Sequence, residues 1–355
     1  MKVSIVIVGF GNVAQSFVAL LLRKKAYLHE RFGLEFSIIG AADRGTEKDY
    51  RSAYLAKGLD PQILLESKLK SGTISAYPGG GCRDSPDDLI KTANADLLLE
   101  TTSTNVVDGE PGLSHIRTAL SIGTHVVTSN KGPLVFGWNE LRRLASSKGI
   151  NFRFGASVGG ALPIIPTGRY SLLGSEVKSI HGILNGTTNY ILTQMEEKQI
   201  TMKEALADAQ QMGIAEANPK LDLEGFDTAF KLLIAANAIM DANATLKEID
   251  IEGIQDVTLE RVRSARERGC ALKLIGRADR ANSTVKMRVG LEEIHPNHPF
   301  HWISGTWKSV LFDTDLLGEV LVSGGASNPR LTSGAVLRDM LDIAYDAGYL
   351  THSRA

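Results

Sequence analysis

Apolar and polar positions follow two different rhythms along this chain. Up to about residue 150, short unbroken apolar runs alternate with longer stretches whose apolar residues recur at helical spacing. The first run, VSIVIV at residues 3–8, is rich in β-branched residues and reads as a strand buried on both faces. It breaks at Gly9-Phe10-Gly11 and passes into VAQSFVALLLRKKAYLHERF, which reads as a helix over 13–32. LEFSIIGAA (34–42), ADLLLE (95–100) and THVVTSN (124–130) repeat the strand signal. Strands alternating with helices predict an α/β domain with a Rossmann-like, doubly wound parallel sheet.

After Lys148-Gly149 the rhythm changes. FRFGASVGGALPII (152–165) sets glycines among apolar residues, as expected where the backbone bends or is closely approached. A strand, VKSIHGIL (177–184), meets Asn185-Gly186-Thr187-Thr188-Asn189, which opens a helix. That polar start suits an anion or simply a cap. Thr201 and Glu204 form a capping box for the next helix, which Gly213 stops. IAEANPKLDLEG (214–225) reads as a loop, punctuated by Pro219 and Gly225, ahead of the helix FDTAFKLLIAANAIM (226–240). CALKLIGRA (270–278) and TVKMRVGLEEI (284–294) flank DRANS as an antiparallel hairpin. The change of rhythm predicts a nucleotide-binding domain over 1–150 and a second, α+β domain from 151.

Length supports two domains, because 355 residues exceed one ordinary core. Apolar residues at 43% and charged residues at 22% belong to a folded protein rather than a disordered one. The 39 basic and 40 acidic residues leave a net charge of −1, so neither a nucleic acid nor a membrane surface is expected as partner. No apolar run reaches membrane-spanning length. Cys82 and Cys270 are too few and too far apart for a disulfide framework, which fits a reducing cytoplasm, and the N-terminal MKVSIVIVGFG has no signal-peptide cleavage site.

Candidate chemistry begins at Gly9-x-Gly11-x-x-Ala14, a dinucleotide fingerprint placed directly after the first strand, with Asn12 and Val13 between its small residues. The second strand ends at Asp43-Arg44. An acid there suits the ribose 2′-hydroxyl of NAD and an arginine the 2′-phosphate of NADP; Arg44, with Lys48 and Arg51 near it, tips the expectation towards NADP with NAD as the alternative. Thr101-Thr102-Ser103 and Asn130-Lys131 lie at the carboxyl ends of later strands, where such sheets place their ligand crevice. Farther on, Glu216, Asp222, Glu224 and Asp227 gather ahead of an apolar helix that carries Lys231 four residues after Asp227, on the same face. Helix-dipole preference and one i,i+4 ion pair account for Asp227 and Lys231 but not for Glu216 and Asp222. His295, His298 and His301 are separated by Pro296 and Pro299 and read as a loop rather than a metal site.

These motifs resemble the homoserine dehydrogenase family over nearly the whole chain: GFGNV, ETTSTN, VVTSNKGPL, ASVGGALPII, GILNGTTNYIL and, most specifically, GIAEANPKLDLEGFDTAFK. The resemblance implies NAD(P)-dependent, reversible reduction of L-aspartate 4-semialdehyde to L-homoserine in threonine and methionine biosynthesis. It implies Lys231, Asp227 and Lys131 as catalytic residues and Glu216, Asp222 and Thr187 for substrate. Gly9, Gly11, Asn12, Val13, Arg44, Thr101, Thr102, Ser103, Asn130, Lys131 and Gly325 would bind cofactor. It further implies that 325–355 recrosses to complete the nucleotide-binding domain of 1–150, that 151–324 is an inserted catalytic and dimerisation domain, and that the chain forms a homodimer in the cytoplasm and holds a monovalent cation. Gly155 stands where the family carries an acidic cation ligand, leaving only the backbone of Val158, Gly160 and Leu162. The closing glycine motif is also altered, around Gly324-Gly325-Ala326. The chain stops where longer relatives carry an ACT domain, so the short monofunctional form without threonine feedback is expected. Two alternatives stay open: a non-catalytic dinucleotide-binding sensor, or a related dehydrogenase for another amino-acid-like alcohol.

Overall fold

A computed structural model describes residues 1–44, 50–78, 85–324 and 328–349. The chain divides into two compact units, Met1–Ser157 with Asn328–Ala355, and Val158–Ser327. Gly325, Lys48 and Cys82 lie outside the described residues.

The first unit is built on β1 (Lys2–Val8), β2 (Glu35–Arg44), β3 (Tyr50–Tyr54), β4 (Leu97–Glu100), β5 (His125–Thr128) and β6 (Phe152–Arg153), in the order β3-β2-β1-β4-β5-β6. All neighbours are parallel except β2 and β3. The unbroken apolar strands reflect burial from both sides: Ile5, Ile7, Leu97, Leu99 and Val127 join one core with Phe17 and Val18 of the helix Asn12–Phe32 and with Val336 and Met340 of the helix Pro329–Asp346. The antiparallel β3 has no counterpart in the sequence reading. Its five residues, YRSAY, carry too few apolar positions to register as a strand, and it forms by pairing with the edge of β2.

The second unit carries β7 (Val177–Ile183), β8 (Ile249–Ile251), β9 (Ala271–Ala281), β10 (Thr284–Ile294), β11 (Lys308–Thr314) and β12 (Glu319–Gly324), ordered β12-β11-β7-β9-β10-β8. Every pairing is antiparallel except β8 with β10. The helix Phe226–Ile239 packs on β7, β9 and β10. Its mostly apolar sequence leaves Lys231 and Asp227 among the few polar side chains on a largely buried element. The β9–β10 turn is tighter than the five-residue reading: Ala281 pairs with Thr284, so Asn282 and Ser283 alone connect the strands, and Asn282 adopts φ 57°. Asparagine tolerates that conformation, which two-residue hairpins favour. Within the expected loop 214–225, Lys220–Leu223 forms one short helical turn that starts after Pro219 and ends before Gly225 at φ 83°.

Candidate active site

At the carboxyl end of β1 the chain turns at Gly9, where φ is 90°. A Cβ there would lie 2.6 Å from the main chain of both Thr101 and Thr102, so β1 and the segment after β4 meet only because this residue has no side chain. Gly11 is different. Its φ of −83° is open to any residue, and a Cβ on it would meet nothing within 4 Å. The fold does not require glycine at position 11; the room it leaves suits a ligand that approaches the main chain. Gly11 caps the helix Asn12–Phe32 without a side-chain hydrogen bond, and no acid occupies the first turn, so the amides at Asn12 and Val13 present positive potential. A cleft of about 160 Å³ follows, lined by Gly9, Gly11, Asp43, Arg44, Thr102 and Ser103 among others. These features fit a dinucleotide.

The polar ends of β4 and β5 are braced from behind by a carboxyl group that the sequence reading passed over. Glu100 is fully buried, and burial pushes its pKa up, against hydrogen bonds from Thr102, Thr128 and Asn130 that pull it down. It accepts from the Thr102 amide at 3.0 Å, from the Thr102 hydroxyl, and from the Thr128 hydroxyl at 2.9 Å. Asn130 donates to the Thr102 hydroxyl at 3.1 Å, and Thr101 donates to the Gly9 carbonyl at 2.6 Å. Thr102, Thr128 and Asn130 thus form one network around Glu100, Thr101 ties the segment to Gly9, Ser103 is exposed, and Lys131 is half-buried at the start of the helix Gly132–Phe136. At the end of β2, Asp43 is buried and ion-paired with Lys68 from the helix Pro61–Ser71, while Arg44 is exposed. Lys68 lies 25 residues from Asp43, and no local pattern announced it.

In the second unit the acid-rich stretch sorts into distinct parts. Lys231 donates to Asp227 at 2.5 Å and to the Leu184 carbonyl at 2.9 Å. Both side chains of this pair are only 12% exposed, which separates it from the ordinary solvated i,i+4 pair of Lys220 and Glu224 at 3.8 Å. Asn185 caps its helix by accepting from the Thr188 amide at 2.9 Å, and its amide nitrogen donates to Asp222 at 2.6 Å and Asp227 at 2.7 Å. The cap reading of that helix start holds, and the same residue joins two of the acids. Thr187 donates to the Ile214 carbonyl at 3.2 Å, tying the helix start to the acidic loop. Glu216 is exposed on that loop.

Neither β11 nor Lys308 at its start was announced by the sequence pattern. Ser309 pairs with Ile183, so Lys308 runs alongside Leu184, the residue whose carbonyl holds Lys231. Lys308 is fully buried and donates to the Gly159 carbonyl. Burial, and then the positive charge of Lys231, push its pKa down to about 7, with Asp227 acting in the opposite sense.

The monovalent cation fits poorly. In the first unit, a Cβ on Gly155 would lie 2.8 Å from both the Arg338 guanidinium and the Asp339 carboxylate, which pair with each other at 3.3 Å. In the second unit the Leu162 carbonyl, one of the three expected ligands, accepts from the Ile164 amide at 2.8 Å, and the Gly159 carbonyl between the other two takes the Lys308 ammonium. Among the described residues no group of three or more His, Cys, Asp or Glu side chains is arranged to hold a metal ion. His298 instead accepts from the Phe300 amide, and His301 bonds the Ile294 carbonyl.

Comparison with known proteins agrees with both halves. Residues 9–155 match the model of the homoserine dehydrogenase NAD-binding domain, and residues 163–341 that of homoserine dehydrogenase itself. The chain is 40% identical to a homoserine dehydrogenase of Methanocaldococcus jannaschii, over 96% of this chain and 98% of that protein. It is 35% identical to an NAD(+)-dependent homoserine dehydrogenase of Pseudomonas canavaninivorans, over 96% of each. A hyperthermophilic archaeal homoserine dehydrogenase solved in complex with NADPH superposes with a TM-score of 0.81 at 26% identity, covering 97% of this chain and 98% of that one. This chain belongs to the homoserine dehydrogenase family of NAD(P)-dependent oxidoreductases.

Proposed function

With that membership as premise, we propose that the chain reversibly reduces L-aspartate 4-semialdehyde to L-homoserine, and that Lys231 is the proton donor. The observation that carries the assignment is the buried Lys231–Asp227 pair. An ammonium has three N–H donors. Asp227 and the Leu184 carbonyl take two of them, which fixes the direction of the third. The dinucleotide, held at Gly9, Gly11, Asn12, Val13, Thr101, Thr102, Ser103 and Asn130, supplies the hydride. Negative charge then builds on the substrate oxygen, where the Lys231 ammonium stabilises it and delivers its proton. Asp227 holds the lysine in place. Asp222, oriented by Asn185, and Glu216 bind the α-ammonium of the amino acid, with Thr187 bordering the loop. Lys131 serves the nicotinamide end of the crevice.

Two features of the first unit support NADP over NAD. Arg44 is exposed at the end of β2, and the Asp43 carboxylate that would otherwise take a ribose hydroxyl is engaged by Lys68. A second copy of the chain is the partner best suited to the second unit, where β12 is an edge strand and Leu321 on it, Leu316 and Leu317 in the turn before it, and Trp307 just ahead of β11 are exposed. No helix among the described residues is long and apolar enough to cross a membrane, and the small zwitterionic substrate suits the cytoplasm.

Initial rates with homoserine and either NADP or NAD, read by the absorbance of reduced nicotinamide, test the assignment. Turnover with homoserine and not with other amino-acid-like alcohols supports it. Dinucleotide binding without turnover of any such substrate would favour a sensor instead. Light scattering during size exclusion reads the dimer.

A further inference from the structure

Lys308, like Lys273, is a buried lysine of the second unit that the proposed chemistry does not use, and of the two it alone has no exposed surface. A buried ammonium survives only where oxygen atoms surround it. One of the Lys308 contacts is with the glycine loop: Gly159 and Gly160 adopt φ of 84° and 61°, which curls the main chain so that the Gly159 carbonyl faces Lys308. The Gly159 Cβ position lies 2.9 Å from Ile164 and 3.0 Å from the Leu162 carbonyl, so the curl tolerates no side chain there. The same loop supplies the carbonyls on which the family resemblance would place a monovalent cation, yet the acid that would complete such a site is Gly155 in this chain.

We propose that the Lys308 ammonium, bound at the Gly159 carbonyl, is the resident cation of the 158–162 loop, and that the chain takes no monovalent metal ion there. A fixed ammonium and a metal ion carry the same charge, and placing both against one short loop, without a carboxylate from position 155, brings only repulsion. The tethered cation has a further effect. Lys308 runs beside Leu184, whose carbonyl orients Lys231, so the position of the loop and the aim of the proton donor are linked through adjacent strands. Lys308 is therefore a positioning residue rather than a catalytic one.

The test uses the full chain, below pH about 7 so that the amine keeps its proton. Rates of homoserine turnover and thermal-unfolding midpoints are compared in sodium, potassium and tetramethylammonium chloride at equal ionic strength. The wild-type chain should give the same rate and the same midpoint in all three. Lys308→Met should lose about tenfold or more in kcat and acquire a saturable rise in rate or midpoint with sodium or potassium. Lys308→Gln keeps a donor for the Gly159 carbonyl without the charge, and should show the same cation response if the methionine variant does not fold. A wild-type rate or midpoint that rises saturably with either metal ion overturns the proposal. So does a folded variant with the wild-type rate and no cation response. A slow variant that no cation restores or stabilises assigns Lys308 to packing alone and overturns it equally. The midpoints read the cation role even if homoserine proves not to be the substrate.

Discussion

In the nucleotide unit the crevice is made chiefly of main chain. Gly9 lets two segments touch, Gly11 leaves open space above helix amides, Thr101 bonds back to Gly9, and Thr102 and Asn130 are braced by a buried Glu100. In the second unit the proposed site is made of charged side chains on one helix and its flanking loop, with Asn185 joining Asp222 to Asp227 and a main-chain carbonyl taking a hydrogen bond from Lys231. The difference matches the ligands proposed for the two sites. A pyrophosphate has its charge spread over many oxygens and is matched by a set of amides. A single developing oxyanion, and a single ammonium, need point charges placed with care. Main-chain sites should therefore fail through steric intrusion, and side-chain sites through loss of one atom.

The largest expected effect lies on the side-chain half. Lys231→Met should lower kcat by about a thousandfold, the scale of removing a principal electrostatic donor, while the dissociation constant for NADPH, read by fluorescence titration, stays within about twofold. Loss of NADPH binding in this variant would show that the two halves do not fail separately. Next comes the main-chain half. Gly9→Val introduces a side chain 2.6 Å from the Thr101 and Thr102 backbone at a φ of 90°. Strain of this kind costs about 1–3 kcal/mol, so dinucleotide affinity should fall by roughly ten- to a hundredfold; unchanged affinity in a titration would mean the crevice tolerates rearrangement. A third change sharpens the cofactor reading within that half. Lys68→Met leaves Asp43 bare against a 2′-phosphate, and the ratio of kcat/KM for NADP over NAD should drop by about tenfold. A ratio that holds steady would leave Arg44 as the determinant. The smallest effect serves as a control. Thr201→Ala removes the cap that accepts from the Glu204 amide at 3.3 Å, remote from the Lys231 cluster in sequence. It should cost about 1 kcal/mol of stability in denaturant titration with no change in kinetics.

The chain's one-dimensional record announced features whose parts are close together in it. The strand, glycine turn and helix at 3–32 lie within thirty-odd residues; the capping box of Thr201 and Glu204 and the pairing of Asp227 with Lys231 each span a single helical turn. In each case local geometry alone makes the contact, because residues three or four apart on a helix share a face. The acids at Glu216 and Asp222 were also conspicuous, since no local rule explained them, although Glu216 lies in solvent and only Asp222 is tied to the pair through Asn185.

What the chain pattern left out involves partners far apart along it. Lys68 reaches Asp43 across 25 residues, Asn185 reaches Asp222 and Asp227 across 37 and 42, and Lys308 reaches Gly159 across 149. Glu100 reads as an ordinary strand end until Thr128 and Asn130 arrive beside it. Whether a lysine is a solvated surface charge or a buried cation depends on what surrounds it, and Lys220 and Lys308 are indistinguishable by residue type. Hydrophobic periodicity and glycine placement act over a few residues and so fixed the elements in advance. Desolvation and charge pairing act through space, and only the packed strands of β7, β9 and β11 decided which carboxylates and ammonium groups would lie out of water together.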